Sequence, residues 1–187
     1  LITGSSNGLN QLLEIKTDSM MSRTKSRPLP VQIISKTETI IFCIIIGALG
    51  LFLLYTINYK SMLLGLFSMV VYVLIYTPLK QKSAIAVFVG AIPGSIPPLL
   101  GYVAVSNDFG LEPGVLFMLQ FFWQFPHFWA LAWKLDEDYK KAGFRLLPSI
   151  EKNKKSAFQI MLYSAFLIPS SMLPWAAEMT GPTSMII

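Results

Sequence analysis

Five long stretches of this chain contain no Asp, Glu, Lys or Arg. They cover residues 39 to 59, 61 to 79, 83 to 107, 113 to 133 and 156 to 177. Each is close to or longer than the roughly 20 apolar residues with which an α-helix crosses the bilayer core. Strands of membrane barrels alternate apolar and polar residues, whereas these stretches are continuously apolar. The pattern therefore predicts five membrane-spanning helices, with residues 1 to 18 as the end of an earlier helix.

The composition supports a membrane protein with all-α structure. Of the 187 residues, 53% are hydrophobic and only 13% are charged, which is too apolar for an ordinary soluble domain. The single cysteine, Cys43, lies inside the first stretch, so cysteines supply neither a disulfide framework nor a zinc site. We expect one domain over residues 1 to 187, a polytopic transmembrane helix bundle. Because the chain begins at Leu1 without Met and ends in a new apolar run, we expect a fragment.

The basic residues indicate how the bundle is oriented. If the chain changes side after each span, residues 10 to 38, 80 to 82 and 134 to 155 share one side and hold 14 of the 15 Lys and Arg residues. The opposite connections hold only Lys60. Basic loops stay in the cytoplasm, or in the matrix of a mitochondrion. This orientation explains the net charge of +5, so no nucleic-acid partner is needed to account for it. We expect a protein of the bacterial inner membrane.

A first polar group precedes the first span. Asn10, Glu14 and Asp18 are spaced four residues apart, so on a helix their oxygens share one face. Mg2+ prefers such oxygen ligands together with water and phosphate. Arg23 and Arg27 follow, and guanidinium groups beside carboxylates favour a bound phosphate. The alternative is a solvated helix face.

A second acidic group, residues 136 to 138, follows the fourth span on the same predicted side. Alone it is better explained as ordinary loop charge than as a site. Together, two carboxylate groups that hold Mg2+ against a diphosphate would stabilise the departing anion without a general acid. The pair of groups therefore predicts a site at the cytoplasmic face.

Three further residues are candidates because polar side chains at these positions in or beside a membrane span are unusual. Tyr76 and Lys80 are four residues apart at the cytoplasmic end of the second span. Lys80 is either a point charge for phosphate or a snorkelling anchor. His127 lies inside the fourth span, where an ionisable residue is a functional candidate. It either contacts a polar or metal-bearing substrate, carries a proton, or bonds a neighbouring helix as a neutral imidazole.

The third span contains Pro93, Pro97 and Pro98. Prolines remove helix donors that lipid cannot replace, so such backbone packs against protein or lines a cavity. We expect these prolines to interrupt the span and to give a kinked helix beside a pocket.

Together these motifs resemble the UbiA-type intramembrane prenyltransferases, and more closely their heme O synthase (protoheme IX farnesyltransferase) branch. The resemblance lies in Asn10 to Asp18 with Met21 to Thr24 and Arg27 to Pro30, in Tyr76 to Lys80, and in Pro126 to Ala132 with Asp138, Tyr139, Ala142, Gly143, Leu147 and Pro148. It runs across residues 1 to 183. The family has more spans than this chain, so the resemblance implies that the first span and the last two are missing.

The resemblance implies a bundle with a central cavity that transfers a farnesyl group from farnesyl diphosphate to a vinyl group of heme B, giving heme O. It places Asp18, Asp138 and Lys80 in catalysis, Asn10, Arg23, Arg27, Tyr76 and His127 in substrate binding, and Asn10, Glu14, Asp18 and Asp138 around Mg2+. Heme B is then a substrate, and His127 lies near it. The implied partners are the lipid bilayer and heme A synthase or the assembly of a terminal oxidase.

Two other functions remain open from the residues. A sister aromatic prenyltransferase would share the diphosphate site and act on a quinone or chlorophyll precursor. An ion transporter would use the same acids, although a transport path should be polar from end to end. For an enzyme, we expect Asp18→Ala or Asp138→Ala to abolish turnover with little loss of folded protein, since both residues should face a wet cavity mouth.

Overall fold

The computed structural model describes residues 1–185, in which no strand occurs and 74% of residues are helical. The helices are α1 (Ile2–Leu13), α2 (Ile15–Met20), α3 (Lys36–Ile57), α4 (Tyr59–Val70), α5 (Thr77–Leu79), α6 (Ala86–Ser106), α7 (Leu111–Lys134), α8 (Asp136–Lys141), α9 (Lys154–Ser171) and α10 (Leu173–Ala176). A π turn, Val71–Tyr76, joins α4 to α5, and a 3-10 turn spans Pro182–Met185. The chain is an all-α membrane protein, as predicted.

Within the described residues, four helices are long and apolar enough to cross a membrane. They are Lys36–Ile57, Tyr59–Leu79, Ala86–Ser106 and Lys154–Ala176. The fourth predicted span forms α7, a helix of 24 residues. Gln120, Gln124 and His127 interrupt its apolar surface, and it stays a predicted span.

Helices that follow one another in the sequence pack side by side. The principal contacts are α1 with α3, α3 with α4, α4 with α6, α6 with α7, and α7 with α9. The connections from α3 to α4 and from α6 to α7 are short, so these neighbours run antiparallel. The contacts of Ile2 with Gly50 and of Ser5 with Cys43 show that α1 and α3 run antiparallel as well, and those of Phe122 with Phe166 and of Phe125 with Tyr163 show the same for α7 and α9. The C-terminal ends of α1, α5 and α7 therefore meet at one end of the bundle, together with the segments that carry most of the basic residues.

Small residues bring α1 close to α3. The Ser5 hydroxyl donates to the carbonyl oxygen of Cys43 across 2.8 Å. A Cβ on Gly8 would overlap the Cys43 thiol, and one on Gly47 would lie 2.7 Å from Ser5 Oγ. Close backbone approach and hydroxyl bonds of this kind are the usual means of packing helices in membranes.

The π turn before α5 has a cause in the sequence. Pro78 has no N–H group, and its ring crowds the carbonyl four residues earlier. The Thr77 N–H instead bonds the Tyr72 carbonyl, five residues back, and the Thr77 hydroxyl donates to the same oxygen across 2.8 Å. The wider turn changes the direction in which Tyr76 and Lys80 leave the helix.

The expected interruption of the third span is wrong, because α6 runs unbroken from Ala86 to Ser106 with its three prolines inside. Pro97 leaves the carbonyl of Pro93 without its helical donor, and the Ser68 hydroxyl lies 3.4 Å from that oxygen. At this carbonyl a side chain of a neighbouring helix thus takes the place of the donor that a proline removes. The expected position beside a pocket is correct, since Pro93 and Pro97 line a cavity.

Candidate active site

The most buried ion pair of the site joins the first polar group to the end of α5. Lys80 Nζ lies 2.6 Å from Glu14 Oε1, and both side chains are less than one tenth exposed. The contact is therefore a close ion pair between two buried charges. The backbone leaves regular helix geometry at Glu14, but the N–H groups of Glu14 and Asp18 still donate to the carbonyls of Asn10 and Glu14.

Aromatic rings and backbone fix Lys80 further. Its Nζ lies 4.9 Å from the ring centre of Tyr76 and 5.3 Å from that of Phe144, and its carbonyl accepts the N–H of Arg145 across 2.9 Å. Burial lowers the pKa of Lys80, while the Glu14 carboxylate opposes that shift. The ammonium is thus held in a confined place beside the loop that follows α8, where a point charge acts strongly on an anion.

A second ion pair involves the other carboxylate of the first group. Arg27 Nη1 donates to Asp18 Oδ2 across 2.8 Å, and the Thr24 hydroxyl donates to the Asp18 carbonyl. The Asp18 side chain is 1% exposed and that of Arg27 is 35% exposed. The expectation that Asp18 faces a wet opening and carries no packing is therefore wrong, because a basic loop folds over it.

Asn10 is oriented by the same π turn. Its Nδ2 donates to Thr77 Oγ1 across 2.9 Å, and Thr77 Oγ1 donates in turn to the Tyr72 carbonyl. Asn10 and Thr77 are both buried. Among the described residues nothing donates to Asn10 Oδ1, so the amide oxygen remains an acceptor at the site.

The second acidic group touches the loop that follows the first. The Ser22 hydroxyl donates to Asp138 Oδ1 across 3.0 Å, and Lys141 Nζ lies 3.6 Å from the same atom. Burial raises the pKa of Asp138, but hydrogen bonds from Ser22 and Arg23 and the charge of Lys141 outweigh it, so the pKa is lowered. Among the residues that the structure describes, Asp136 forms an ion pair with Lys140 of its own helix alone, at 2.7 Å.

An apolar contact reinforces this junction. Met21, Ala142 and Phe144 form a buried cluster against which Tyr139 packs. Burial raises the pKa of the Tyr139 hydroxyl, while the charge of Arg23 and its hydrogen bond oppose the shift. The structure thus joins the loop after the first polar group to the second acidic group, since Ser22 and Asp138 are 116 positions apart in the sequence and in contact at one end of the bundle.

His127 is not brought to this site. Its ring is exposed and stacks on Trp123 with centres 4.5 Å apart. Residues four apart share a helix face, so these two rings lie together. Gln124 and Phe128, on another face of α7, line the cavity instead.

A cavity of about 280 Å³ lies between α1, α4, the π turn, α6 and α7. Its walls include Tyr72, Tyr76, Pro93, Pro97 and Phe128. Since Tyr76 also stacks beneath Lys80, this ring joins an apolar cavity to the charged end of the bundle. A molecule with a charged head and an apolar tail matches this arrangement.

The donors suit a hard cation only in part. Asn10, Glu14, Asp18 and Asp138 offer oxygen atoms alone, which Mg2+ prefers, usually with one or two carboxylates plus water and phosphate. Within residues 1–185, however, no three His, Cys, Asp or Glu side chains form a group that would hold a metal by itself. The residues therefore fit a cation that is shared with a bound phosphate, and the four expected ligands form no complete cage.

Sequence reasoning missed several residues of the site. Thr77, Ser22 and Phe144 all contact expected site residues. For Thr77 a signal was present, since it precedes a proline at a helix end and its hydroxyl can replace a lost donor. Ser22 and Phe144 have no such signal, because their partners are distant in the sequence.

Comparisons with known proteins identify the family of this chain. The UbiA prenyltransferase family matches residues 1–187. A protein of Cytophaga hutchinsonii named protoheme IX farnesyltransferase is 50% identical over 100% of this chain and 66% of its own length. Relatives of the same name from Flavobacterium psychrophilum and Koribacter versatilis are 49% and 38% identical over 92% and 97% of this chain, and over 58% and 59% of their own lengths.

No solved structure matches the chain. The chain spans 58% to 66% of the length of these three relatives. The family match nevertheless covers every residue, including both acidic segments and the Tyr76 to Lys80 element. The chain therefore belongs to the UbiA prenyltransferase family.

Proposed function

We propose that the chain transfers a farnesyl group from farnesyl diphosphate to a vinyl group of heme B, giving heme O. The observation that carries the proposal is the pairing of two buried carboxylates, Glu14 and Asp18, with Lys80 and Arg27 beside a cavity whose walls include aromatic rings. Relatives named protoheme IX farnesyltransferase support the choice of substrates.

The cationic side chains hold the diphosphate. Lys80 and Arg27 are kept in place by Glu14 and Asp18, so little conformational entropy is lost when an anion binds them. Arg23 lies at the same junction through its contact with Tyr139. Fixed positive groups stabilise the charge that grows on the diphosphate as the farnesyl C1–O bond breaks and both electrons leave with oxygen.

Asn10, Glu14, Asp18 and Asp138 are the residues that would hold Mg2+ together with the diphosphate. When bound, the ion would neutralise part of the negative charge of the leaving group. Asn10 is prepared for this by its hydrogen bond to Thr77, which turns Oδ1 away from that partner. Asp138 also fixes the loop that carries Arg23 through its bond to Ser22.

The cavity receives the farnesyl chain. Its apolar walls bury the isoprenoid carbons, and the faces of Tyr72 and Tyr76 are attractive to a developing allylic cation. The π electrons of the vinyl group then form a bond to farnesyl C1. The resulting cation takes up water and releases a proton, which leaves a hydroxyl group on the product.

We place the charged end of the bundle on the cytoplasmic side of a bacterial inner membrane, because 14 of the 15 Lys and Arg residues lie in the segments at that end. The partner that receives the heme O product is then a heme A synthase or the assembly machinery of a terminal oxidase. His127 is exposed on the face of α7 that points away from the cavity. If it contacts heme, the contact is therefore made on that outer face.

The test uses the purified protein in detergent with farnesyl diphosphate, heme B and Mg2+. We expect release of diphosphate and formation of heme O, both lost when Mg2+ is chelated and both strongly reduced in Lys80→Met. Lys60→Met is the matched control. Lys60 donates to the carbonyl of Asn107 at the opposite end of the bundle, so this variant should retain full activity.

Two results would overturn the proposal. Prenyl transfer to a phenolic acceptor with none to heme B would indicate an aromatic prenyltransferase that acts on a quinone or chlorophyll precursor. Ion flux in vesicles without any release of diphosphate would indicate a transporter.

A further inference from the structure

Gln124 is held rigidly in the wall of the cavity. Its side chain is 3% exposed. Nε2 donates to the carbonyl of Ala91 across 3.0 Å and to Ser95 Oγ across 2.8 Å, while Ser95 Oγ donates to the same carbonyl across 2.6 Å. A primary amide has two N–H donors. Because both are used, the direction of the amide oxygen is fixed as well.

The amide oxygen lies against Gly94. A Cβ at this position would overlap Gln124 Oε1. Any residue other than glycine would therefore displace the amide oxygen. Gln124 and Gly94 both line the cavity. Within the described part of the chain no group donates a hydrogen bond to Gln124 Oε1. A fixed acceptor at membrane depth is therefore left for something that enters the cavity.

A second polar group lines the same cavity. Ser6 is 7% exposed and lines the cavity, and among the described residues its hydroxyl makes no hydrogen bond. Its oxygen reaches the cavity surface and is free to bond a molecule there. A polar group in such a place is satisfied by water or a ligand, and a buried water needs two to four polar partners. Thr3 and Asn7 line the cavity too but are exposed, and the Ser68 hydroxyl already faces the Pro93 carbonyl. Gln124 Oε1 and Ser6 Oγ are therefore the partners that we consider for a water in this cavity.

Building on the proposed function, we propose that Gln124 and Ser6 hold the water molecule that becomes the hydroxyl group of the product. The water donates its two O–H groups to Gln124 Oε1 and Ser6 Oγ, which leaves a lone pair of its oxygen for the substrate. After the vinyl carbon has bonded to farnesyl C1, the cation on the adjacent carbon accepts that lone pair and a C–O bond forms. One proton leaves to water at the cavity opening.

Without a held water the same cation has another outcome. It loses a proton from the neighbouring CH2 group, and the product is an alkene that is lighter by one water. The ratio of alkene to alcohol therefore reports on the water, whereas a general loss of structure lowers both products together. This ratio separates a role in holding water from a role in packing α6 against α7.

The experiment measures both products by mass spectrometry for Gln124→Leu, with Gln120→Leu as the matched control. Gln120 lies one turn earlier on α7 and lines a separate cavity with Leu119 and Leu167. We expect the alkene-to-alcohol ratio to rise about tenfold in Gln124→Leu, the effect of losing one hydrogen bond of about 1.4 kcal/mol. In Gln120→Leu the ratio should not change.

Ser6→Ala serves as a second variant that leaves the bonds between Gln124 and α6 intact. We expect it to raise the ratio about threefold. An unchanged ratio in Ser6→Ala, or equal ratios in Gln124→Leu and Gln120→Leu, would overturn the inference while prenyl transfer itself persists. If the unaltered protein forms no bond between farnesyl and heme, the proposed function fails instead.

Discussion

The carboxylates of the first polar group pair with cations outside the helix that carries them, whereas those of the second pair with lysines of their own helix. Lys80 and Arg27, the partners of Glu14 and Asp18, are 9% and 35% exposed. Lys140 and Lys141, beside the second group, are 62% and 56% exposed. The two regions thus differ more in their cations than in their carboxylates.

This difference indicates which ion pairs contribute to the stability of the fold. Breaking a buried pair leaves an uncompensated charge away from water, which is costly. An exposed lysine that loses its partner is simply solvated. The first region should therefore couple stability to activity, whereas substitutions in the second should change activity with little change in stability.

Of the variants considered, Lys80→Met should lower stability and activity the most. It leaves Glu14 buried without a partner, so we expect the free energy of unfolding to fall by about 3 kcal/mol or more, together with loss of diphosphate release. Thermal unfolding in detergent and a diphosphate assay would measure the two effects. Adding Glu14→Gln should restore much of the stability but not the activity; a double variant as unstable as Lys80→Met would contradict the buried-pair explanation.

Asp18→Asn should come next. The side chain keeps its size and loses its charge, and Arg27 is exposed enough to reach water, so we expect a stability loss of about 1 to 2 kcal/mol. Activity should fall about a hundredfold or more, because a charged group at the diphosphate is lost. Steady-state kinetics with farnesyl diphosphate would measure it, and near-normal turnover would show that Asp18 serves the fold alone.

Within the second region, Asp138→Asn and Asp136→Asn form a matched pair. Only Asp138 bonds across to Ser22, so we expect its variant to lose activity about tenfold and to unfold near the temperature of the unaltered protein. Asp136→Asn should stay within about twofold of full activity. Equal losses in the two variants would show that the contact with Ser22 has no functional role.

The smallest expected effect is a change in how thermal stability depends on acidic pH. The folded-state pKa of Asp138 is lowered, mainly because bonds from Ser22 and Arg23 outweigh burial. A lowered carboxyl pKa contributes stability above the ordinary pKa, and the contribution is lost as pH falls through the lowered value. Unfolding temperatures recorded from neutral to acidic pH should therefore fall slightly more steeply for the unaltered protein than for Asp138→Asn. Parallel curves would contradict this assignment.

Several parts of the fold were predictable because they depend on nearby residues. The all-α class follows from uncharged runs whose length matches a bilayer, and a pocket beside the prolines follows from the missing N–H donors. The unbroken path of α6 was not predictable, because Ser68 lies 25 positions from the Pro93 carbonyl that it faces.

The site was predictable to a similar extent. The acidic segments and the Tyr76 to Lys80 element stand out by residue type and spacing. Their partners do not, since a carboxylate in a sequence does not indicate which cation will meet it. The place of His127 also depended on packing, because residue type marks a helix position as unusual but does not show whether that face meets a cavity.

The sequence by itself determined the membrane class, the helices and the side on which charge collects, because hydropathy and charge act over one span or one loop. Only the tertiary structure decided that Glu14 meets Lys80, that Asp18 meets Arg27, and that Asn10 meets Thr77 across 67 positions. These contacts depend on which helices become neighbours and how each is rotated, and packing of the whole bundle fixes both.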